Sequence, residues 1–264
     1  MNPGTPPPVP SPSGGNSAAS RRRDVLVCVL FAVVAGCLAW AGWQAWTWWK
    51  STPPYVDETR FPVRGIDVSG HNGMMNLEAA GKETGISFII LKASEGVTFQ
   101  DKNFRINYDK ATEAGLLTGA YHYFRFDCGG TDQARNFLRT IGDRELPLGL
   151  FIDIEDHGNA NGVPMSKISS RLTAMVEYLN LLGHRVTVYS NTDGYYKYVE
   201  PILPGADLWI ASFKSVPPPL PNLFFWQFSH SGRMAGIRGK VDLDAFAGSR
   251  AELDAFVENH RFRP

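Results

Sequence analysis

Apolar residues run almost without interruption from Val25 to Trp49, and Gln44 is the only strongly polar residue among them. At about 1.5 Å rise per residue, a helix of this size spans the roughly 30 Å of bilayer hydrocarbon. Beyond it the pattern changes to short β-branched or aromatic runs separated by amphipathic stretches with Gly near their ends, the form of stacked βα units. The runs predict strands at Val63–Ser69, Ser87–Ser94, Leu117–Phe124, Leu148–Glu155, Arg185–Ser190, Asp207–Phe213, Leu223–Phe228 and Gly239–Leu243. Helices are predicted at Asn76–Glu83, Phe104–Ala114, Thr131–Ile141 and Ser166–Leu182. In the last of these, Ile168, Leu172, Met175, Val176 and Leu179 share one face and Gly183 follows as a stop signal. Later connections are too short for full helices, and Pro217-Pro218-Pro219 forbids one. The expected class is α/β: an irregular, flattened, TIM-like (β/α) barrel preceded by one transmembrane helix.

The first twenty residues are Pro, Gly, Ser and Asn with almost nothing to bury, which predicts disorder. Arg21-Arg22-Arg23 precede the apolar run, and Trp40, Trp43, Trp46, Trp48 and Trp49 crowd its far half. The positive-inside rule then predicts a cytoplasmic tail over residues 1–23, an anchor over 24–49, a linker over 50–62 and an exported domain over 63–250. Residues 251–264 form a terminal tail or helix. Two rival readings of the apolar run are a signal peptide cut at Ala39-Trp40-Ala41 and a lipobox at Val34-Ala35-Gly36-Cys37. The residues after either site stay apolar and Trp-rich, which favours the uncleaved anchor, and all three readings export the remainder.

Charge and cysteine content narrow the function. The 264 residues balance 26 Lys+Arg against 26 Asp+Glu, and no basic run extends beyond Arg21–Arg23, so nucleic-acid binding is not expected. Three Cys, two of them in the apolar run, exclude a disulfide scaffold and a Cys-rich zinc site. The six His show no metal-ligand spacing, no G-x-S-x-G elbow or phosphate-cradling loop appears, and Cys128 reads as an incidental thiol. Neither a metal nor an organic cofactor is called for.

The informative segment is Leu148–Glu155, an apolar strand that acquires Asp153 and Glu155 at its end. Alternate strand residues share a face, so the two carboxylates point the same way, about 7 Å apart at Cα. Two like charges at the end of a buried strand are costly for folding alone. At the C-terminal strand ends of an α/β barrel, Asp67 of the first strand and Asp242 of the last join them. Crowding raises at least one carboxyl pKa, and paired acids in a cleft are the minimum equipment for cleaving a glycosidic bond. Asp67 or Asp242 singly reads equally well as a loop cap. Tyr121, Tyr123, Tyr189, Trp209, Trp226 and Gln227 cluster at the same ends, as platforms for sugar rings or as barrel core.

The ordered motifs Gly65-Ile-Asp-Val-Ser69, Lys92-Ala-Ser-Glu-Gly96, Gly119-Ala-Tyr-His-Tyr-Phe124, Asp153-Ile-Glu155, Leu208-Trp-Ile-Ala211, Trp226-Gln227 and Val241-Asp242 resemble glycoside hydrolase family 25, the Chalaropsis-type lysozymes. The likeness runs from about Arg64 to Gly248. The resemblance implies a modified β/α barrel that hydrolyses the β-1,4 bond between N-acetylmuramic acid and N-acetylglucosamine in peptidoglycan glycan strands. It implies Glu155 as general acid, Asp153 stabilising the reacting centre, and Asp67 and Asp242 tuning charge and orienting substrate, with Lys92 and Glu95 among the binding residues. Attack by the substrate's own acetamido oxygen and a covalent glycosyl-enzyme both remain open. The chain departs from the family pattern at Gly70-His-Asn-Gly73, Met74-Met75 and Asn76-Leu77, and has Asp244 where Asn is frequent. An anchored member implies wall remodelling from the bacterial inner membrane, with the domain periplasmic or extracytoplasmic. The alternatives are a non-catalytic peptidoglycan-binding scaffold and a hydrolase of another amino-sugar polymer such as chitin.

Overall fold

The structure is a computed structural model that describes residues 17–264, without the side chains of 17–20, 48–51 and 82–84. Of the first twenty residues, expected to be disordered, 1–16 lie outside the described residues and 17–20 begin a helix. Two compact units are present, one ending at Ser51 and one comprising Thr52–Pro264.

The first unit is a single helix, α1 (Ser17–Ser51), 35 residues long. It begins before the Arg cluster and so extends beyond the stretch expected as the anchor at its N-terminal end. Nothing between Ser17 and Arg23 breaks a helix, whereas Pro53-Pro54 forbids continuation past Ser51. Its stretch Arg21–Thr47 is long and apolar enough to cross a membrane. Phe31 and Trp40 are exposed along it.

In the second unit, β1 (Arg64–Val68), β2 (Phe88–Glu95), the two-residue β3 (Phe99–Gln100), β4 (Leu117–Tyr123), β5 (Leu150–Asp153), β6 (Val186–Asn191), β7 (Asp207–Ala211), β8 (Leu223–Gly232) and β9 (Val241–Phe246) form one sheet. Its order is β1-β9-β8-β7-β6-β5-β4-β2-β3, and pairing of β1 with β2 closes a barrel of eight strands, with β3 hairpinned onto the end of β2. From β1 round to β8 every neighbouring pair is parallel. Strand β9 runs the other way, antiparallel to both β8 and β1. The barrel is therefore mixed. The connection between β8 and β9 is too short for the crossover helix that a parallel pair requires, so the chain returns as a hairpin.

Helices cover part of the wall: α2 (Leu77–Thr84), α3 (Phe104–Glu113), α4 (Gly130–Ile141), α5 (Met165–Leu181), and a run of α6 (Thr192–Gly194), a π turn (Tyr195–Val199) and α7 (Glu200–Ile202). Where no helix follows β7 or β8, the segment expected to be a free linker supplies the cover. Val56 and Phe61 bury themselves with Trp226, Phe228 and Ala245 on the outer face, so residues 52–62 belong partly to the domain. The end of the chain is a helix, α8 (Arg250–His260), opened by a capping box between Ser249 and Glu252. It places Leu253 and Phe256 against Phe225 and Phe246 and closes the end of the barrel where the parallel strands begin.

The interior is packed, not hollow. Phe88, Ile90, Phe151, Trp209, Phe225 and Phe246 fill it in mostly edge-to-face contacts. Room for these rings comes from Gly65 and Gly119, where an added Cβ would lie 2.3 Å from the Phe88 ring and 2.6 Å from the Phe151 ring. This aromatic plug lies beneath the side chains at the C-terminal ends of the parallel strands.

Candidate active site

Asp67 is the penultimate residue of β1, and its register partner on β9 is Asp242. Because β9 is reversed, Asp242 reaches the mouth from near the beginning of its strand, so the expectation that it stands at a C-terminal strand end is corrected while its location holds. Asp153 ends β5 and pairs in register with Tyr123 on β4 and Tyr189 on β6. Glu155 lies just past the strand and is partly exposed, whereas Asp153 is buried.

A chain of hydrogen bonds ties the strands together at this end of the barrel. Tyr189 donates its hydroxyl to Gln227 Oε1 at 2.9 Å, and Gln227 Nε2 donates to Asp67 Oδ2 at 2.6 Å. One layer below, Trp209 Nε1 donates to Asp244 Oδ1 at 2.8 Å. On the β2 side, Lys92 Nζ bonds Glu95 Oε2 at 2.8 Å and lies 5.0 Å from the centre of the Tyr123 ring. Arg125 meets Glu95 at 3.5 Å and donates to the Gly158 carbonyl at 2.6 Å, while Tyr123 donates its hydroxyl to the His157 carbonyl. The loop after β5 is thus clamped to β4. Among the described residues, Asp153 Oδ1 is buried without a hydrogen-bond partner. A buried acceptor without a partner costs on the order of 1–3 kcal/mol, a cost this strand end carries.

The acids shift one another. Burial raises Asp153 well above the usual carboxylate range, the Glu155 charge adds to the rise, and the Lys92 ammonium opposes it. Burial likewise raises Glu155, against the pull of His157 and Lys92. Asp67 is pushed well up by burial and by the charges of Asp244 and Asp242. Asp242 rises to about 6 and Asp244 to about 8, burial being the main cause in both. Closely interacting carboxyls release their protons in separate steps that belong to the group. The mouth consequently retains protons at pH values where free carboxylates have lost theirs. Tyr121 and Tyr189 are half-buried; loss of solvent around their hydroxyls, and then the charges of the neighbouring acids, raise both well above the ordinary phenol value.

A stability prediction follows from Asp244. Its folded pKa of about 8 exceeds the ordinary carboxyl value of 3.8, so the folded chain binds more protons across that interval. Stability conferred below pH 4 is lost as pH rises toward 8. Asp244→Asn keeps the acceptor for Trp209 and should flatten this fall in urea midpoint between pH 5 and 8. Parallel pH dependence in variant and parent would refute it.

Two expected sugar platforms are corrected. Trp226 is fully buried on the outer face of β8, packed on Phe61 at 5.5 Å between ring centres, with Nε1 donating to the Ser212 carbonyl at 2.7 Å. Adjacent strand residues face oppositely, so with Gln227 turned inward Trp226 must turn out. Trp209 faces in but is 2% exposed, a ring in the floor beneath the acids. Trp226→Phe should cost about 1–3 kcal/mol of stability through the orphaned Ser212 carbonyl and the void left by the smaller ring, with KM for any glycan substrate within about twofold of the parent. A large KM increase at unchanged stability would restore the platform reading. Asp244, noted in the sequence only as a departure, belongs to the acid group. Its two-residue spacing from Asp242 was the available signal.

No three His, Cys, Asp or Glu side chains are grouped to hold a metal ion among the described residues. What the mouth can do chemically is hold a proton on one carboxyl beside another, over a tyrosine-lined floor.

Residues 66–237 match the family profile of glycosyl hydrolases family 25. The chain belongs to this family. It is 34% identical to lysozyme M1 of Streptomyces globisporus over 218 residues, 75% of this chain and 72% of that one. It is 33% identical to the autolytic lysozyme of Clostridium acetobutylicum over 186 residues, 70% of this chain but 56% of that longer protein. Among solved structures, a family 25 glycosyl hydrolase from Bacillus anthracis superposes with a TM-score of 0.68 at 28% identity, covering 77% of this chain and 97% of that one. The family 25 match begins inside β1 and ends before β9, so it leaves out Asp242, Asp244 and α8, which the barrel closure brings to the same domain.

Proposed function

We propose that the chain is a muramidase that hydrolyses the β-1,4 bond between N-acetylmuramic acid and N-acetylglucosamine in peptidoglycan. The observation that carries the reading is the pairing of a buried carboxyl, Asp153, with a partly exposed one, Glu155, two neighbours whose protonation belongs to the pair. The stronger upward shift falls on Asp153, so bound glycan has to place the shared proton on Glu155, the carboxyl that reaches solvent. Glu155 can meet a bound glycosidic oxygen and carries the proton that the leaving group takes. Asp153, through the small part of its carboxyl that reaches the mouth, accepts from the substrate's acetamido N–H and steadies the positive charge that develops at the anomeric carbon. Asp67 is held by Gln227, which Tyr189 orients in turn, and with Asp242 it lines the mouth beside the reacting pair. Tyr121, Tyr123 and Tyr189 form the wall against which the sugar sits, and Lys92 with Glu95 borders it.

The names of the relatives, lysozymes and an autolytic lysozyme, support peptidoglycan as substrate. Reduction of the new chain ends with borohydride after digestion of purified wall tests the bond. Reduced muramic acid supports the proposal, reduced glucosamine implicates a different bond, and no new ends leaves a binding protein.

Helix α1 fits an uncleaved anchor, with the Arg cluster cytoplasmic and the barrel exported to the wall side of the inner membrane. Protease added to spheroplasts should then remove the domain and leave residues 1–23 protected. Release of intact domain without protease would indicate a cleaved signal instead.

A further inference from the structure

Beside the acidic mouth, the turn Gly70–Asn72 and the β2–β3 hairpin enclose a second cleft of ≈ 390 Å³. Its lining includes Gly70, His71, Lys92, Phe99, Asp101 and Lys102. The one acid among them, Asp101, is already answered: Oδ2 accepts from the Gly70 amide at 2.6 Å and Oδ1 from the Asn103 amide at 2.8 Å. It is buried at 8% exposure, so its charge is spent on holding the turn. What remains open to a ligand is cationic and aromatic. Lys102 and His71 are exposed, and the Phe99 ring is 50% exposed with Lys92 Nζ 5.5 Å from its centre.

The turn is built to stay in place. Ser69 and Asn72 cap it reciprocally, and Asn72 Nδ2 donates to the Lys240 carbonyl just before β9. At Gly70 an added Cβ would lie 2.8 Å from Asp101 Oδ1, so only glycine lets the turn sit on that carboxylate. This segment is also where the sequence parts from the family pattern. Lys92 joins the cleft to the mouth, since it lines the one and shifts Asp153 and Glu155 in the other.

We propose that this cleft is a specificity subsite for the carboxylate-bearing peptide substituent of the glycan, with Phe99 packing its apolar part and Lys102 and His71 meeting its carboxylate. The proposal rests on the reading of the mouth as a peptidoglycan site. Continuity through Lys92 lets one ligand occupy both places. The volume, at the lower end of small-molecule clefts, suits a short peptide rather than a second polymer.

The test uses the full-length chain in detergent micelles and two soluble probes: an N-acetylmuramyl peptide with free carboxylates, and the same compound with its carboxylates amidated. Calorimetry should show the free acid binding about tenfold more tightly. The double variant Phe99→Ala/Lys102→Glu should reduce that discrimination below about twofold, and Lys102→Arg should keep it. Equal binding of both probes by the parent, or discrimination retained by the double variant, overturns the proposal. Discrimination in a chain that releases no glycan ends refutes the muramidase reading and leaves the subsite standing. Cleavage without discrimination does the reverse.

Discussion

Glu155→Gln should lower kcat on purified wall by roughly 10²–10⁴, the usual cost of losing a positioned general acid. Gln keeps the size of the side chain and cannot supply the proton. The loss should appear in kcat and in kcat/KM alike, because the interaction is made only as the leaving oxygen gains negative charge. Stability should change little, since Glu155 lies past the end of β5, is partly exposed, and is raised in pKa by its surroundings. Parental turnover by the variant would remove Glu155 from the chemistry.

Asp153→Asn is expected to cost about 10²–10³ in kcat, the range seen when one preorganised electrostatic contact to a transition state is removed. The amide preserves the shape of a side chain that is only 7% exposed, so a folding defect is not the expected cause. It cannot become an anion beside the anomeric carbon, and its NH2 presents a donor where the acetamido N–H needs an acceptor. Its absence also removes a neighbour whose protonation is coupled to that of Glu155, so the alkaline limb of the rate profile should move. A variant with parental kcat and an unmoved limb would assign Asp153 to packing.

Much of this site could be read from the chain, for reasons specific to its strands. The run Leu148–Ile152 is apolar enough to be a buried strand, and the carboxylates that follow have no place in such a strand except at its open end. The same contrast marked Asp67 after Gly65-Ile66. Asp242 was found for an incomplete reason, because the direction of β9 depends on a hairpin closure that hydrophobic alternation does not encode. Trp226 shows the opposite case. Strand parity already required Trp226 and Gln227 to face apart, yet which of them faced in depended on Phe61 and Val56 covering the outer wall. Those two residues read as a linker because three prolines surround them, and prolines describe local conformation rather than what a segment packs against. Helix α8 is one of two readings of residues 251–264: Leu253, Phe256 and Val257 fit a short amphipathic helix, but only the closed barrel shows the open end they fill.

The central claim is that Glu155 delivers a proton to the departing sugar, and dependence on the leaving group tests it most directly. The full-length parent and Glu155→Gln are compared on a glycan with its natural sugar leaving group and on one bearing an aryl leaving group that departs without protonation. The account predicts a deficit of about 10²–10⁴ on the natural substrate that shrinks to within about tenfold on the aryl substrate. Equal deficits on the two substrates would contradict it.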